Sequence, residues 1–341
     1  MMRKARQARK QTGRLTLIIA LCVMIGAGLL SVHFWEKSQK AHEEAVREEE
    51  DVYSAPDRAR VYYNGSWYEM RSNLVTYLVM GLDKVTETIS DPESYINNQQ
   101  SDFLLLMIVD KSTKSYCALH INRDTMAEIQ RLGLGGVKLD TFTGQLALAH
   151  TYGSGGRDSC RNTVQAVSRY LYDVPIDHYF SITMDAIPVL NDLVGGVTVH
   201  VDDDFSNVDP TIERGKDVTL RGQQALTFVR SRKDVADQTN LSRMNRQREY
   251  INALYRQISA KLKTEEHFGA KLASKLADYT VSDLTTTELS NMADRMKDYP
   301  FTTIYTIKGE AVVGEEFMEF YTDEADLQDL VIRLFFRRVE E

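Results

Sequence analysis

Arginine is concentrated in one stretch of this chain. Residues 221–248 hold Arg221, Arg230, Arg232, Lys233, Arg243, Arg246 and Arg248 against Asp234 and Asp237. Guanidinium forks match phosphate oxygens two at a time, so such a cluster suits a phosphate or diphosphate. If 229–232 is extended, Arg230 and Arg232 project from one face. A helix beginning near Ser242 puts Arg243, Arg246 and Gln247 on neighbouring turns. Its first turns would offer free N–H groups and a positive dipole end to an anion. A solvated, salt-bridged helix face uses the same residue types, and composition alone leaves both readings open.

Two carboxylates complete the set. Asp83 ends one apolar run and Asp102 begins the next. A pair of carboxylates can hold Mg²⁺ against phosphate oxygens. Metal and arginines together would stabilise the charge that builds during phosphoryl transfer. Strand-end aspartates also simply cap turns. Residues 103–109 and 115–121 read as buried strands joined by Lys111-Ser112-Thr113-Lys114. Positions facing each other across that turn sum to about 225, as do Asp102 and Arg123. Both residues therefore belong at the open end of one hairpin. Asp83 joins them if the strand at 74–82 runs antiparallel to 103–109.

Other engines are missing from the sequence. There is no G-x-S-x-G, no phosphate-cradling G-x-x-x-x-G-K-[S/T] and no H-E-x-x-H. The seven histidines are scattered without metal-ligand spacing, and His120 and His150 read as packed or capping residues. Of three cysteines, Cys22 falls in an apolar run, while Cys117 and Cys160 read as buried thiols or as a pair.

The elements that position these groups follow from periodicity. Tyr63-Asn64-Gly65-Ser66 is a hairpin turn flanked by aromatic residues. A polar insertion occupies 84–100. Residues 144–152 read as a helix capped by Gly153, and 159–172 as a second beginning at Ser159 and stopped by Pro175. Residues 185–194 form a third, capped by Gly195. Val197, Val199 and Val201 alternate as a half-buried strand. From Ser242, residues Ile251, Leu254, Ile258 and Leu262 make a helical stripe. Residues 300–341 read as strand, strand and helix. Strands mixed with helices imply an α/β or α+β sandwich.

Charge and hydropathy place the chain. Arg3, Lys4, Arg6, Arg9, Lys10 and Arg14 precede residues 15–35, a 21-residue run without Asp, Glu, Lys or Arg. A helix of that length rises roughly 30 Å, enough to cross the hydrocarbon core. The positive-inside rule puts the N-terminus in the cytoplasm and the rest outside. A cleaved signal peptide would have a shorter apolar segment followed by a small-x-small site, which fits this run less well. Residues 36–52 read as a charged, solvated stalk. Beyond residue 35, 35 of the 41 cations face 49 acids, a net of −14. That balance disfavours non-specific nucleic-acid binding.

At the residues above, the sequence resembles the LytR–CpsA–Psr family. Ser101-Asp102 with Asn122-Arg123-Asp124-Thr125 is similar to that family's S-D-T and P-R-D-T pattern. Ile176-Asp177-His178-Tyr179 and Leu193-Val194-Gly195-Gly196-Val197 resemble two further blocks. Gln223-Gln224-Ala225-Leu226, Val229-Arg230-Ser231-Arg232 and Arg243-Met244-Asn245-Arg246-Gln247 resemble its arginine blocks. The ordered set spans roughly residues 75–260. Departures are Asn122 for proline, Phe103 for threonine and Gln100 for arginine.

The resemblance implies an α/β/α sandwich around a central mixed sheet, preceded by one transmembrane helix. The expected division is a cytoplasmic tail (1–14), the membrane helix (15–35), a stalk (36–60), a catalytic domain (61–263) and a C-terminal part (264–341) packing on it. The implied activity moves a polyprenyl-diphosphate-linked glycan, such as teichoic acid or capsule, onto peptidoglycan outside the cell membrane. Asp83 and Asp102 would bind Mg²⁺ or Mn²⁺. Arg123, Arg230, Arg232, Arg243, Arg246 and Gln247 would hold the diphosphate, with Asp102, Arg123 and Arg230 catalytic. A diphosphate hydrolase, a non-catalytic scaffold and a membrane-anchored transcriptional regulator are the alternatives; the first uses the same residues, and the last requires a cytoplasmic domain. A reporter enzyme active only outside the cytoplasm, fused to the C-terminus, should be active; activity of a cytoplasm-only reporter would reverse the topology.

Overall fold

The structure is a computed structural model in which residues 60–83, 99–133, 136–315 and 317–339 are described. The basic tail, the run at 15–35, residues 36–59 of the stalk and residues 84–98 of the insertion lie outside them. Among the described residues no helix is long and apolar enough to cross a membrane.

Turn chemistry sets the first elements. Strands β1 (Arg60–Tyr63) and β2 (Ser66–Met70) meet at Asn64 and Gly65, whose φ values are 44° and 77°. Those left-handed values suit a two-residue hairpin turn, which Asn-Gly favours. Three long strands follow: β3 (Leu74–Leu82), β4 (Ser101–Asp110) and β5 (Ser115–Ile121). The β4–β5 register pairs Leu104 with Ile121 and Ile108 with Cys117, so facing residues do sum to 225. β3 is antiparallel to β4.

The next stretch departs from the helical reading. β6 (Met126–Leu132) and β7 (Lys138–Gln145) form an antiparallel pair, and Gly144 lies inside β7. Thr141, Phe142 and Thr143 are β-branched or aromatic and favour a pleated surface over a helix. Only the short helix α1 (Leu148–Thr151) remains of the expected one. Helix α2 (Gly156–Tyr170) starts three residues before Ser159. Ser159 is no N-cap: its hydroxyl accepts from the Gly155 N–H at 2.9 Å.

The chain continues through β8 (His178–Thr183), α3 (Ala186–Leu193), β9 (Val197–His200), β10 (Asp217–Leu220), α4 (Gln223–Arg230) and α5 (Asn240–Thr264). After these come α6 (Phe268–Leu276), β11 (Thr280–Ser282), α7 (Thr286–Met296), β12 (Phe301–Thr306), β13 (Gly309–Val313), β14 (Met318–Thr322), α8 (Glu324–Phe335) and β15 (Phe336–Arg338). The C-terminal region thus carries more strands than the two expected.

The central sheet has the order β11-β8-β3-β4-β5-β12. It is mixed: β8 is parallel to β3 and β12 to β5, while the β3–β4, β4–β5 and β8–β11 pairs are antiparallel. Both edge strands come from the region after residue 263. Leu78, Met80, Leu104, Leu106, Ile108, Leu119 and Ile121 line one face and pack with Val167 of α2 and Leu330, Val331 and Leu334 of α8. Over the other face α5 brings Tyr255 against Tyr116 and Phe301, with ring centroids 5.9 and 5.2 Å apart. A second core joins Val197, Val199, Phe205, Phe228 and Val229 to Tyr250 and Ala253 of α5. Cys117 and Cys160 are free thiols.

One edge carries a titratable clamp. Asp283, just after β11, accepts from the Tyr179 N–H at 3.0 Å and pairs with His178 Nδ1 at 2.8 Å. The Asp283 hydrogen bond raises the His178 pKa against partial burial, with Asp283, Asp177 and Glu288 adding their charges. A raised folded-state pKa stabilises below the unfolded value, roughly 6.5, and that stability is lost as pH rises through the folded value. Asp283→Asn should therefore flatten the fall in melting temperature between mildly acidic and mildly alkaline pH. Thermal unfolding against pH checks this; an unchanged profile would contradict it.

Candidate functional site

The site lies where β3 and β5 end and β4 begins. Here the β3–β4 register slips. Gly81 pairs with Phe103 and Leu82 with Ser101, so Asp102 is the extra residue of a bulge. Bulges re-aim a side chain and recur beside active sites. Glycine is required opposite it, because a Cβ on Gly81 would stand 2.8 Å from the Phe103 Cβ. The backbone stays tied past the bulge: Asp83 N–H donates to the Gln100 carbonyl at 3.4 Å.

Arg123 follows β5 and is held on three sides. It forms an ion pair with Asp102, donates Nε to Asp124 Oδ1 at 3.1 Å and donates Nη2 to Gln100 Oε1 at 2.8 Å. Burial pulls its pKa down; Asp124 and Asp83 pull it back up, and Arg232 opposes them. Asp124 is itself 4% exposed and accepts from Gln145 Nε2 at 3.1 Å. The Asp124 carbonyl accepts from Phe320 N–H at 2.9 Å, so β14 braces this corner.

Arg243 comes from the first turns of α5. That helix starts before Ser242: Thr239 is its N-cap, accepting from Ser242 N–H at 3.2 Å, and Asp237 accepts from Thr239 and Ser242. The Arg243 guanidinium donates Nε and Nη2 to Asn240 Oδ1 at 3.1 and 2.7 Å. Its Nη1 lies 4.0 Å from Asp102 Oδ2. Burial, then the Arg123 and Arg232 charges, lower its pKa to about 10 against the opposing Asp124 and Asp83. It remains cationic at neutral pH. Asp83, Asp102, Arg123, Arg232 and Arg243 thus share one electrostatic neighbourhood, although Arg232 itself is exposed.

The remaining predicted residues are placed differently. Val229 and Arg230 are helical, so the extended 229–232 segment is not formed. The chain turns out of the helix at Ser231 because Arg230 closes α4, and Arg230 is exposed there. Arg246 is 4% exposed and donates to the carbonyls of Phe228, at 3.1 Å, and Ser231. It also pairs with Asp203 at 2.5 Å. Gln247 donates to the Val229 carbonyl at 3.2 Å. These two side chains tie α5 to the end of α4, where the loop bearing Arg232 begins. His120 packs on Phe103 with its ring tilted by 51°, centroids 4.9 Å apart, and burial with the nearby Arg248 and Arg243 charges lowers its pKa to about 3. His150 is buried too, its pKa lowered to about 4.

Gln100, Asp124, Gln145 and Asn240 support the cluster without having been singled out as site residues. Asp124 adjoins Arg123 in sequence, and Gln100 adjoins the Ser-Asp pair; no periodicity marks Gln145 or Asn240. Asp83, just past β3, and Asp102, at the bulge, are the carboxylates at this end of the sheet that could hold a Mg²⁺ together with water and substrate phosphate oxygens, since Mg²⁺ in such sites needs only one or two carboxylates. Among the described residues no group of three or more His, Cys, Asp or Glu could hold a metal alone.

The placements predict a contrast. Arg246→Ala strands Asp203 and two carbonyls and should cost about 3–5 kcal/mol of stability, as for a broken buried ion pair. Arg230→Ala, at an exposed helix end, should stay within about 0.5 kcal/mol. Urea unfolding of the two variants measures both; equal losses would contradict the assignment.

TagU of Bacillus subtilis (strain 168), a polyisoprenyl-teichoic acid–peptidoglycan teichoic acid transferase, is 25% identical over 338 residues, 98% of each chain. The protein of that name from Bacillus licheniformis is 27% identical over 236 residues, 69% of this chain and 71% of that one. The crystal structure of B. subtilis TagV shares the fold, with a TM-score of 0.58 at 22% identity over 78% of this chain and 97% of that one. The family model described as LytR_cpsA_psr matches residues 30–331. With that match spanning most of its length, the chain belongs to the LytR–CpsA–Psr family.

Proposed function

We propose that this protein is an extracytoplasmic phosphotransferase that attaches a polyprenyl-diphosphate-linked glycopolymer, of teichoic acid or capsule type, to peptidoglycan. Residues 15–35 would anchor it in the membrane, where its lipid-linked donor resides. The observation that carries the reading is the buried Arg123–Asp102–Arg243 cluster at the bulged end of the central sheet. Two guanidinium groups brought together out of water, with Arg232 within electrostatic reach, form a place for a diphosphate. The activity for which the TagU relatives are named agrees with that chemistry.

Arg243 and Arg232 would hold the diphosphate oxygens. Arg123, fixed by Asp102, Asp124 and Gln100, would face the phosphate that accumulates charge. A peptidoglycan hydroxyl oxygen forms a bond to the glycan-linked phosphorus. The bridging P–O bond to the lipid-linked phosphate breaks, and polyprenyl monophosphate leaves. The hydroxyl proton passes to the Asp83 or Asp102 carboxylate. A Mg²⁺ held by Asp83 and Asp102 with substrate oxygens would supply further neutralisation of the phosphates.

Incubating the purified protein with a lipid-diphosphate-linked teichoic acid precursor, Mg²⁺ and peptidoglycan fragments should yield covalently linked polymer. Arg123→Ala should lower the rate by about 100-fold or more, as when a charge-stabilising donor is removed. Released glycan phosphate without linked product would mark a hydrolase instead.

A further inference from the structure

Two buried asparagines connect the arginine arms. The Asn122 Oδ1 accepts the backbone N–H of Asp124 at 3.0 Å and the Nδ2 of Asn240 at 2.6 Å. Asp124 in turn holds Arg123, and Asn240 holds Arg243 through Nε and Nη2. Asn122 and Asn240 are 6% and 7% exposed, and Arg243 is 5% exposed. The link therefore runs in protein rather than through bulk solvent.

The direction of every bond in this chain is forced. A backbone N–H can only donate, so Asn122 must turn its oxygen toward Asp124. That oxygen then requires a donor from Asn240, which turns the Asn240 nitrogen toward it. The Asn240 oxygen is left facing Arg243, which has only donors to give. Neither amide can flip without placing like groups together. Both amides are also formally neutral. They fix the Arg243 guanidinium without cancelling its charge, as a carboxylate in the same place would.

We infer that Asn122 is a positioning residue for diphosphate binding: through Asn240 on one side and Asp124 on the other, it sets the spacing of the Arg243 and Arg123 guanidinium groups. The inference rests on the diphosphate reading above. It gives the Asn122 side chain, absent where the family pattern has proline, a defined task. Diphosphate oxygens have fixed separations, so a guanidinium that swings out of place loses part of its bidentate contact.

The test is a double-mutant cycle on the full-length chain in detergent, with geranylgeranyl diphosphate and Mg²⁺ in titration calorimetry. Asn122→Ala and Asn240→Ala should each weaken the dissociation constant about 3- to 10-fold, the loss of one hydrogen bond's contribution. Asn240→Ala should not weaken binding further once Arg243→Ala is present, because it acts through that side chain; Asn122→Ala should then keep only the part of its loss that runs through Asp124 and Arg123. A loss of packing alone would not obey this non-additivity. Asn240→Ala keeps the test available should Asn122→Ala fail to fold. Unchanged affinity in the asparagine variants, or an Asn240→Ala loss that adds in full to that of Arg243→Ala, overturns the inference alone. No binding by the unsubstituted protein, or full affinity in Arg243→Ala, overturns the diphosphate reading and this inference together.

Discussion

Burying two guanidinium groups side by side is costly unless other groups satisfy their donors. Arg123 lies close enough to Arg243 for its charge to lower the Arg243 pKa, and burial lowers the pKa of both. The surrounding residues answer that cost unequally. Arg123 receives two carboxylates and an amide, whereas Arg243 receives mainly the neutral oxygen of Asn240. One arginine is nearly compensated and oriented; the other, buried against the neutral Asn240, keeps most of its charge uncompensated. That asymmetry suits a site that binds and then stabilises phosphate.

The sheet exists in a form that permits this. Its strands bring the β3 end, the β4 start and the β5 end to one edge, and the bulge at Asp102 turns a carboxylate toward Arg123. The close approach at Gly81 allows the bulge to pack. Helix α5 then spans two roles. Its far part buries Tyr255 on the sheet, while its capped beginning delivers Arg243. Arg246 and Gln247, one turn on, hold the end of α4 and so set where the loop with Arg232 departs.

Much of this was legible in the residues. Uninterrupted apolar runs bounded by turn signals gave β3, β4 and β5 their limits, and arithmetic on the turn placed Asp102 opposite Arg123. Alternating valines identified β9. The β6–β7 pair was hidden because Gly144 and the short apolar stretch after it imitate a helix and its cap. Pairing with β6, the strand immediately before it, carried β7 through Gly144. Arg230 departs from the extended reading because the helix over 223–230 takes in Val229 and Arg230, the first two residues of the segment 229–232. Asn240 could not be found from sequence, since its role depends on Asn122, 118 residues away.

The central claim is that the guanidinium groups and acidic strand ends surround one pyrophosphate. A crystal structure of the protein with a bound polyprenyl diphosphate tests it most directly. The pyrophosphate should lie between Arg123 and Arg243, within hydrogen-bond reach of both and beside Asp102. A pyrophosphate seated elsewhere, with Arg123 and Arg243 left in contact only with protein, would contradict the account.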